Sequence, residues 1–526
     1  MDSLVGASCF PALGQAESDI VASGDRQGQI PLPITADVQQ HNRMPTWEDN
    51  TKEYQEDRQV DADEEKCGYW MAADAVKAVV GRVRAAFESG KTLPLEHRKE
   101  QLTRLSELIR DNEEALCDAV WIDLRRGRRE TVAFETQYVQ KEIQTTLSQL
   151  DAWARPQKLS PDVAQGFDAA FVQKEPVGVV AVLSTWNFPL LLALLPLASA
   201  IAAGNAAVVV PSERTRNCSA ALAKFVPLYL DEEAYAVLDS CGGQDAWELL
   251  RHRLDHIFYS GRMPANIGQD VTSVASRHLT PVTLLLDGRS PCFVDHATVD
   301  MAVVAKRIAS GKFYNCGQTC TAPDYVMVEE AGLGALLRAL RAALLQLYGD
   351  EPQKSDRYSR LPSQGEFRRL EELQRATKGK LVHGGRTVTS DLYMEPTLLV
   401  SVPRDDVLMN EEVYGPLLPL LTVKNVADAV RLVRSKGKPR TLYVFSDDDA
   451  LVDKLLKGTR SGHAIVNDTR QNMLLHDDGL PFGGGVGPSG MGRFHGRALF
   501  DTFSTDNSVL LGSMLRLELD GALGER

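Results

Sequence analysis

Residues 177–212 carry no formal charge, and an uncharged run of that length must either cross a bilayer or lie inside a folded core. Trp186-Asn187-Phe188-Pro189 interrupts it, Pro196 follows, and Gly204-Asn205 supplies a helix-ending pair. The run therefore divides into three short elements: a buried strand over 177–183, an apolar helix over 190–203 and a second strand over 206–210. Two uncharged strands joined through a helix make the β-α-β unit of a buried parallel sheet, and this reading is preferred to a membrane span.

The flanking sequence agrees with an α/β chain. Val76, Val79, Val83 and Phe87 share one helical face, with Gly90 placed to end the helix, and Leu102, Leu105 and Ile109 repeat the signal. Helical patterning continues to about Trp153, after which strand and helix signals alternate as a doubly wound sheet requires. Residues 256–261 read as a short strand, with a helix expected from near Pro264 and a possible anion site at its N-terminus. A strand over 282–286 and a helix over 300–310 lead to a cysteine-bearing loop. Residues 1–71 form an N-terminal extension, rich in Asp, Glu, Gln, Gly and Pro without a sustained apolar period, and are expected to be disordered.

At 526 residues the chain is long enough for two or three folding units. A net charge of −13 and a pI near 5.4 oppose binding to nucleic acid or an anionic membrane and favour a small-molecule partner. Eight scattered cysteines read as reduced thiols of a cytoplasmic protein. Residues 1–17 lack the basic and apolar regions of a secretory signal, and 505–526 are too charged to span a bilayer.

Chemistry is concentrated at Asn315-Cys316-Gly317-Gln318-Thr319-Cys320, just after the expected helix. A lone cysteine is most often a small buried hydrophobe. Two at this spacing could be half a metal site, yet no second His/Cys pair accompanies them, so no metal is expected. The Gly485-Val486-Gly487-Pro488-Ser489-Gly490 run matches a dinucleotide fingerprint by letter but precedes no βαβ unit and is discounted.

The wider sequence, from about residue 72 to 504, resembles the aldehyde dehydrogenase superfamily, nearest to its class 3, fatty-aldehyde type branch. The resemblance rests on six motifs in family order. These are Arg84-Ala85-Ala86-Phe87-Glu88-Ser89-Gly90, Trp186-Asn187-Phe188-Pro189, His278-Leu279-Thr280-Pro281-Val282-Thr283, Gly317-Gln318-Thr319-Cys320-Thr321-Ala322-Pro323-Asp324-Tyr325, Glu411-Glu412-Val413-Tyr414-Gly415-Pro416 and Leu480-Pro481-Phe482-Gly483-Gly484. It implies that the Cys320 thiolate attacks an aldehyde, that the Asn187 amide and the Cys320 N–H hold the oxyanion, and that the thiohemiacetal passes hydride to NAD or NADP. A thioester remains, to be hydrolysed by an activated water. By the same resemblance Glu412 and Tyr414 hold the nicotinamide ribose and ring, Glu213 touches the adenosine ribose, Trp186 sits in the cofactor groove, and Gly261 begins the pyrophosphate turn.

Several positions depart from the family pattern. The motif that usually reads Thr-Leu-Glu-Leu-Gly-Gly-Lys stands as Thr283-Leu284-Leu285-Leu286-Asp287-Gly288-Arg289, so the general-base glutamate is Leu285. Glu412 is then the nearest carboxylate by motif to activate water. Val210 replaces the lysine expected before Pro211-Ser212-Glu213, and the pyrophosphate turn reads Gly261-Arg262 with Asn266. Together with Asp287, these changes predict weakened NAD(P) binding.

The leading reading is an NAD(P)-dependent oxidoreductase acting on a hydrophobic aldehyde. The alternatives are a repurposed or redox-dead relative that uses Cys320 and Asn187 for non-redox carbonyl or acyl chemistry, and a non-catalytic partner subunit. The implied architecture has a Rossmann-type cofactor domain over 72–286, a second α/β catalytic domain over 287–494, and a small β oligomerisation element. That element joins a hairpin over 153–174 to the C-terminal segment and tail over 495–526, and a homodimer is expected.

Overall fold

A computed structural model of the chain describes residues 73–160, 167–239, 244–261, 267–286, 288–469, 480, 482 and 486–512. The expected extension over 1–71, Arg262, Pro264, Asn266, Asp287, Pro481, residues 483–485 and the tail beyond 512 lie outside the described residues.

The uncharged run folds as its punctuation dictates. Strand β1 (Val179–Leu183) and strand β2 (Ala206–Val210) pair in parallel, from Val179 opposite Ala206 to Leu183 opposite Val210. Between them lies helix α1 (Leu191–Ala203), with all thirteen residues buried and Gly204 in the left-handed region as its cap. Every residue of β1 and β2 is also buried, so charge is missing because both sheet faces are covered. Helices Leu95–Asp111, Gln137–Trp153 and Gly496–Thr502 pack against α1. No helix among the described residues is long and apolar enough to cross a membrane.

Strands β3 (Tyr235–Val237), β4 (His256–Gly261) and β5 (Val282–Leu286) extend this sheet. Its order is β3, β2, β1, β4, β5, followed by Gly490–Met491 antiparallel at the edge. The chain thus runs outward from β1 to β3, then restarts on the other side of β1 with β4, which places a topological switch point between β1 and β4. The glycine run discounted as a fingerprint supplies this edge pairing. At Gly490 (φ 107°) a side chain would collide with the Leu284 carbonyl, so only glycine lets the segment approach.

A second, seven-stranded sheet has the order Lys380–His383, Thr397–Val400, Leu417–Val423, Tyr325–Glu329, Pro291–Val294, Thr441–Phe445 and His463–Val466. It is parallel except for its first edge strand. Each sheet has its own apolar core, and Phe482, Phe494, Leu499, Phe500 and Phe503 belong to the first. A third sheet joins Gln157–Lys158, Ala169–Pro176 and Ser504–Leu511, all antiparallel.

His256 at the start of β4 makes the first core sensitive to acid. Its Nε2 lies 2.9 Å from Thr283 Oγ1, the ring meets Phe503 edge-on, and burial pulls its pKa from 6.5 down to about 4. The unfolded chain takes up this proton near 6.5, so the contribution is whole above that pH and is lost as pH falls through about 4. Denaturant unfolding should therefore show roughly 3 kcal/mol of pH-dependent stability from this group. His256→Gln should flatten the profile between pH 6.5 and 4, and an unchanged slope would remove the imidazole as its source.

Candidate active site

Helix α2 (Met301–Phe313) starts on Asp300, whose carboxylate accepts hydrogen bonds from the Ala302 and Val303 N–H groups. Beyond α2 the backbone passes through three consecutive left-handed residues, Asn315 (φ 49°), Cys316 (φ 56°) and Gly317 (φ 76°). Such a series is sterically unfavourable away from glycine and persists only where surrounding contacts enforce it. Asn315 Nδ2 donates to the Asn187 carbonyl at 2.8 Å and to the Gln318 carbonyl at 3.1 Å. Gln318 Nε2 donates to the carbonyls of Asn315 and Arg360, while its Oε1 accepts from Trp186 Nε1 at 3.2 Å. Two segments more than a hundred residues apart in sequence are thereby tied together, Trp186-Asn187 at the end of β1 and the loop that carries Cys320.

Both segments line a cavity of about 270 Å³, together with Thr185, Gly261, Leu285 and Tyr414. Cys320 is half-buried and Asn187 is 2% exposed. No described donor meets Asn187 Oδ1. The rest of the wall is mostly aromatic and aliphatic, with Phe188 stacked on Tyr314 and Phe134 tilted against the same ring. Glu130 is the one carboxyl among the described lining residues; burial pushes its pKa up to about 7 against the opposing pull of Arg126 and Arg357.

The expected site residues fall into two groups. Cys320, Asn187, Gly261 and Tyr414 line the cavity, and Trp186 packs edge-on against Tyr414 with ring centroids 5.8 Å apart. Trp186 itself, Glu213 and Glu412 are not among the lining residues. Glu412 acts electrostatically on fully buried Lys312: burial lowers the Lys312 pKa to about 8, and Asp324 and Glu412 oppose that fall. Its segment is anchored by Asp324, which accepts from the Val413 N–H at 3.0 Å and pairs with Arg289. Leu285 is buried in the cavity wall at the end of β5, so an isobutyl group stands where the resemblance expects a carboxylate.

Val210 is buried at the end of β2 and brings no charge. Four residues on, Arg214 lays its guanidinium over the Trp186 ring at 4.5 Å, lies 3.9 Å from Glu213 and pairs with Glu366 at 2.7 Å. Sequence reasoning singled out neither Arg214 nor the buried pair Arg126 and Glu135 behind Asn187. No motif flags them, and the burial of a charge is not visible in one sequence.

The crevice at the switch point between β1 and β4 is where an open α/β sheet receives a nucleotide. Here it is walled by Thr185, Ser260 and Gly261, and a side chain at 261 would run into the Tyr259 phenol. The hydroxyls of Ser184 and Thr185 are buried there without a hydrogen-bond partner among the described residues. Unsatisfied donors beside a glycine strand end fit a bound polar group such as a dinucleotide.

Comparison with known proteins gives the same picture. A sequence profile described as the Aldehyde dehydrogenase family matches residues 48–509, beginning ahead of the described residues. The chain is 42% identical over 430 residues to "Aldehyde dehydrogenase family 3 member B1" of Bos taurus, covering 82% of this chain and 90% of that protein. It is 38% identical over 445 residues to "Aldehyde dehydrogenase, dimeric NADP-preferring" of Canis lupus familiaris, covering 84% and 96%. Among solved structures it resembles "Substrate bound state of Staphylococcus Aureus AldH", with TM-score 0.80, 34% identity and coverage of 84% and 95%. A Mycobacterium tuberculosis aldehyde dehydrogenase complexed with NAD+ shares the fold, with TM-score 0.74, 23% identity and coverage of 84% and 90%.

Proposed function

The chain belongs to the aldehyde dehydrogenase family, and from that membership we propose that it oxidises a hydrophobic aldehyde to the acid through Cys320, with NAD or NADP as oxidant. The carrying observation is that Cys320, half-buried, and Asn187 line one cavity at the switch point of the first sheet. As thiolate, Cys320 attacks the carbonyl carbon; a C–S bond forms and the carbonyl electron pair moves onto oxygen. The Asn187 amide and the Cys320 backbone N–H receive that oxyanion. NAD(P) bound in the crevice would supply the hydride acceptor that this adduct needs, and Cys320 would then carry the acyl group as a thioester. Trp186, Tyr414, Gly261, Glu213 and Glu412 are the residues that would hold NAD(P), with the first lobe as the cofactor domain. Hydrolysis releases the acid and regenerates Cys320; by motif Glu412 is the carboxylate to activate water in place of Leu285, although it stands outside the cavity lining, where Glu130 is the described carboxyl. The aromatic wall of Phe134, Phe188 and Tyr314 favours an apolar tail.

A homodimer and a cytoplasmic location complete the proposal. Leu510 and Leu511 are half exposed on the edge strand Ser504–Leu511, alongside Phe167, which suits pairing with a second copy. The described cysteines form no disulfide with one another, which suits a reducing compartment. Calorimetric titration with NAD and NADP should give saturable heat, and light scattering should give twice 57.8 kDa. No heat at millimolar cofactor would turn the reading toward non-redox carbonyl chemistry at the same thiol.

A further inference from the structure

Two buried charges from a distant part of the chain grip the backbone around Asn187. Arg126 follows the left-handed Arg125 that ends helix Glu113–Leu124 and is fully buried. Its Nη1 donates to the Asn187 carbonyl at 2.8 Å, and its guanidinium lies over the Phe188 ring at 5.3 Å. Glu135, equally buried, sits in the π-helical turn Val132–Thr136. Its Oε2 accepts from the N–H groups of Leu190 at 2.7 Å and Leu191 at 2.9 Å, where α1 begins. Arg126 and Glu135 are ion-paired to each other. One cation thus holds the carbonyl of Asn187, and one anion holds the N–H groups three and four residues beyond it.

A pair with no exposure contributes little net stability, because desolvation offsets the attraction. Neutral groups could satisfy one carbonyl and two N–H groups, so the charges call for another role. A π-helical turn is likewise an uncommon local geometry that recurs at functional sites. No described donor holds Asn187 Oδ1, whereas its backbone carbonyl is held from two sides, by Arg126 Nη1 and by Asn315 Nδ2, each at 2.8 Å. We propose that the Arg126–Glu135 ion pair is a positioning device that aims the Asn187 amide at the oxyanion formed beside Cys320. Neither residue of the pair is a catalytic group. The inference rests on the reading of Asn187 as oxyanion donor, and it concerns turnover rather than affinity.

The test compares Arg126→Met, Glu135→Leu, their double variant, Glu135→Gln and Asn187→Ala, using a long-chain aldehyde and saturating NAD(P). Each single apolar substitution strands a buried charge and should lower the melting temperature, whereas the double variant removes both charges and should recover part of that loss, the Leu190 and Leu191 N–H groups still lacking an acceptor. The double variant should nevertheless keep kcat about 100-fold below wild type, with KM within about threefold, because a misaimed donor costs transition-state stabilisation. Iodoacetamide alkylation of Cys320 should proceed at the wild-type rate, since the thiol is untouched. Glu135→Gln, which keeps the shape and an acceptor, should fold and lose about tenfold in kcat at unchanged KM. Recovery of both stability and turnover in the double variant would overturn the proposal, and so would full kcat in Glu135→Gln. Asn187→Ala with wild-type kcat would instead sink the oxyanion reading beneath it. Loss of activity in Asn187→Ala alone, with normal turnover in the double variant, would sink only the positioning role.

Discussion

Replacing Cys320 with alanine is expected to abolish aldehyde oxidation, by about 10⁴-fold or more, because Cys320 is the one thiol among the described residues lining the cavity. The nearest thiol in sequence, Cys316, has no exposure, and its Sγ donates to Tyr358 Oη at 3.6 Å. Burial pushes the Cys316 thiol up to about 12, so it stays protonated at neutral pH. Cys316→Ala should accordingly retain turnover, while Cys320→Ala should fold and still bind NAD(P). The readout is NAD(P)H formation together with the mass of the aldehyde-treated protein. A covalent adduct or appreciable turnover in Cys320→Ala would place the chemistry elsewhere.

The second large effect is a gain. Leu285 closes the end of β5 against the cavity and cannot accept a proton, so hydrolysis of the thioester should be the slow step. Mixing enzyme, aldehyde and NAD(P) should then give a burst of NAD(P)H close to one equivalent per site, followed by slow turnover. Leu285→Glu should raise the steady rate by about 10² or more and remove the burst, as a positioned general base contributes in that range. The new carboxyl would be buried, which raises its pKa toward neutrality and suits it to act as a base at some cost in stability. Absence of a burst in the wild-type chain, with no acceleration in Leu285→Glu, would mean that water is already activated efficiently. Glu130 in the cavity wall and Glu412 would then be the carboxylates to replace by glutamine.

The parts legible in the sequence are those where one physical rule acts alone. Burial on both faces leaves no charge, so 177–212 could be parsed into strand, helix and strand, and the described elements fall within a residue or two of that parse. The helix over 300–310 begins as its Asp300 cap suggests and runs on to Phe313, because nothing before the left-handed turn at Asn315 stops it. Cys320, Asn187, Gly261 and Tyr414 can be named from motifs, and all four line the cavity. What stayed hidden depends on tertiary contact. That Arg126 and Glu135 are buried, that Glu130 faces the cavity, and that Arg214 lies over Trp186 follow from no local pattern. Helix boundaries can be read from periodicity, but a buried charge looks like any surface charge until its neighbours are known.

The strand pairing of Gly490–Met491 with β5, and the packing of Phe482, Phe494 and Phe503 in the first core, have a bearing on modularity. The lobe built on the first sheet is finished by polypeptide made after the entire thiol-bearing lobe, so neither can be excised or fused as an independent cassette. A nick or early stop before residue 480 would strip aromatic residues from the first core and leave the edge of β5 bare. The first sheet and the lobe that carries Cys320 are therefore inherited together or lost together.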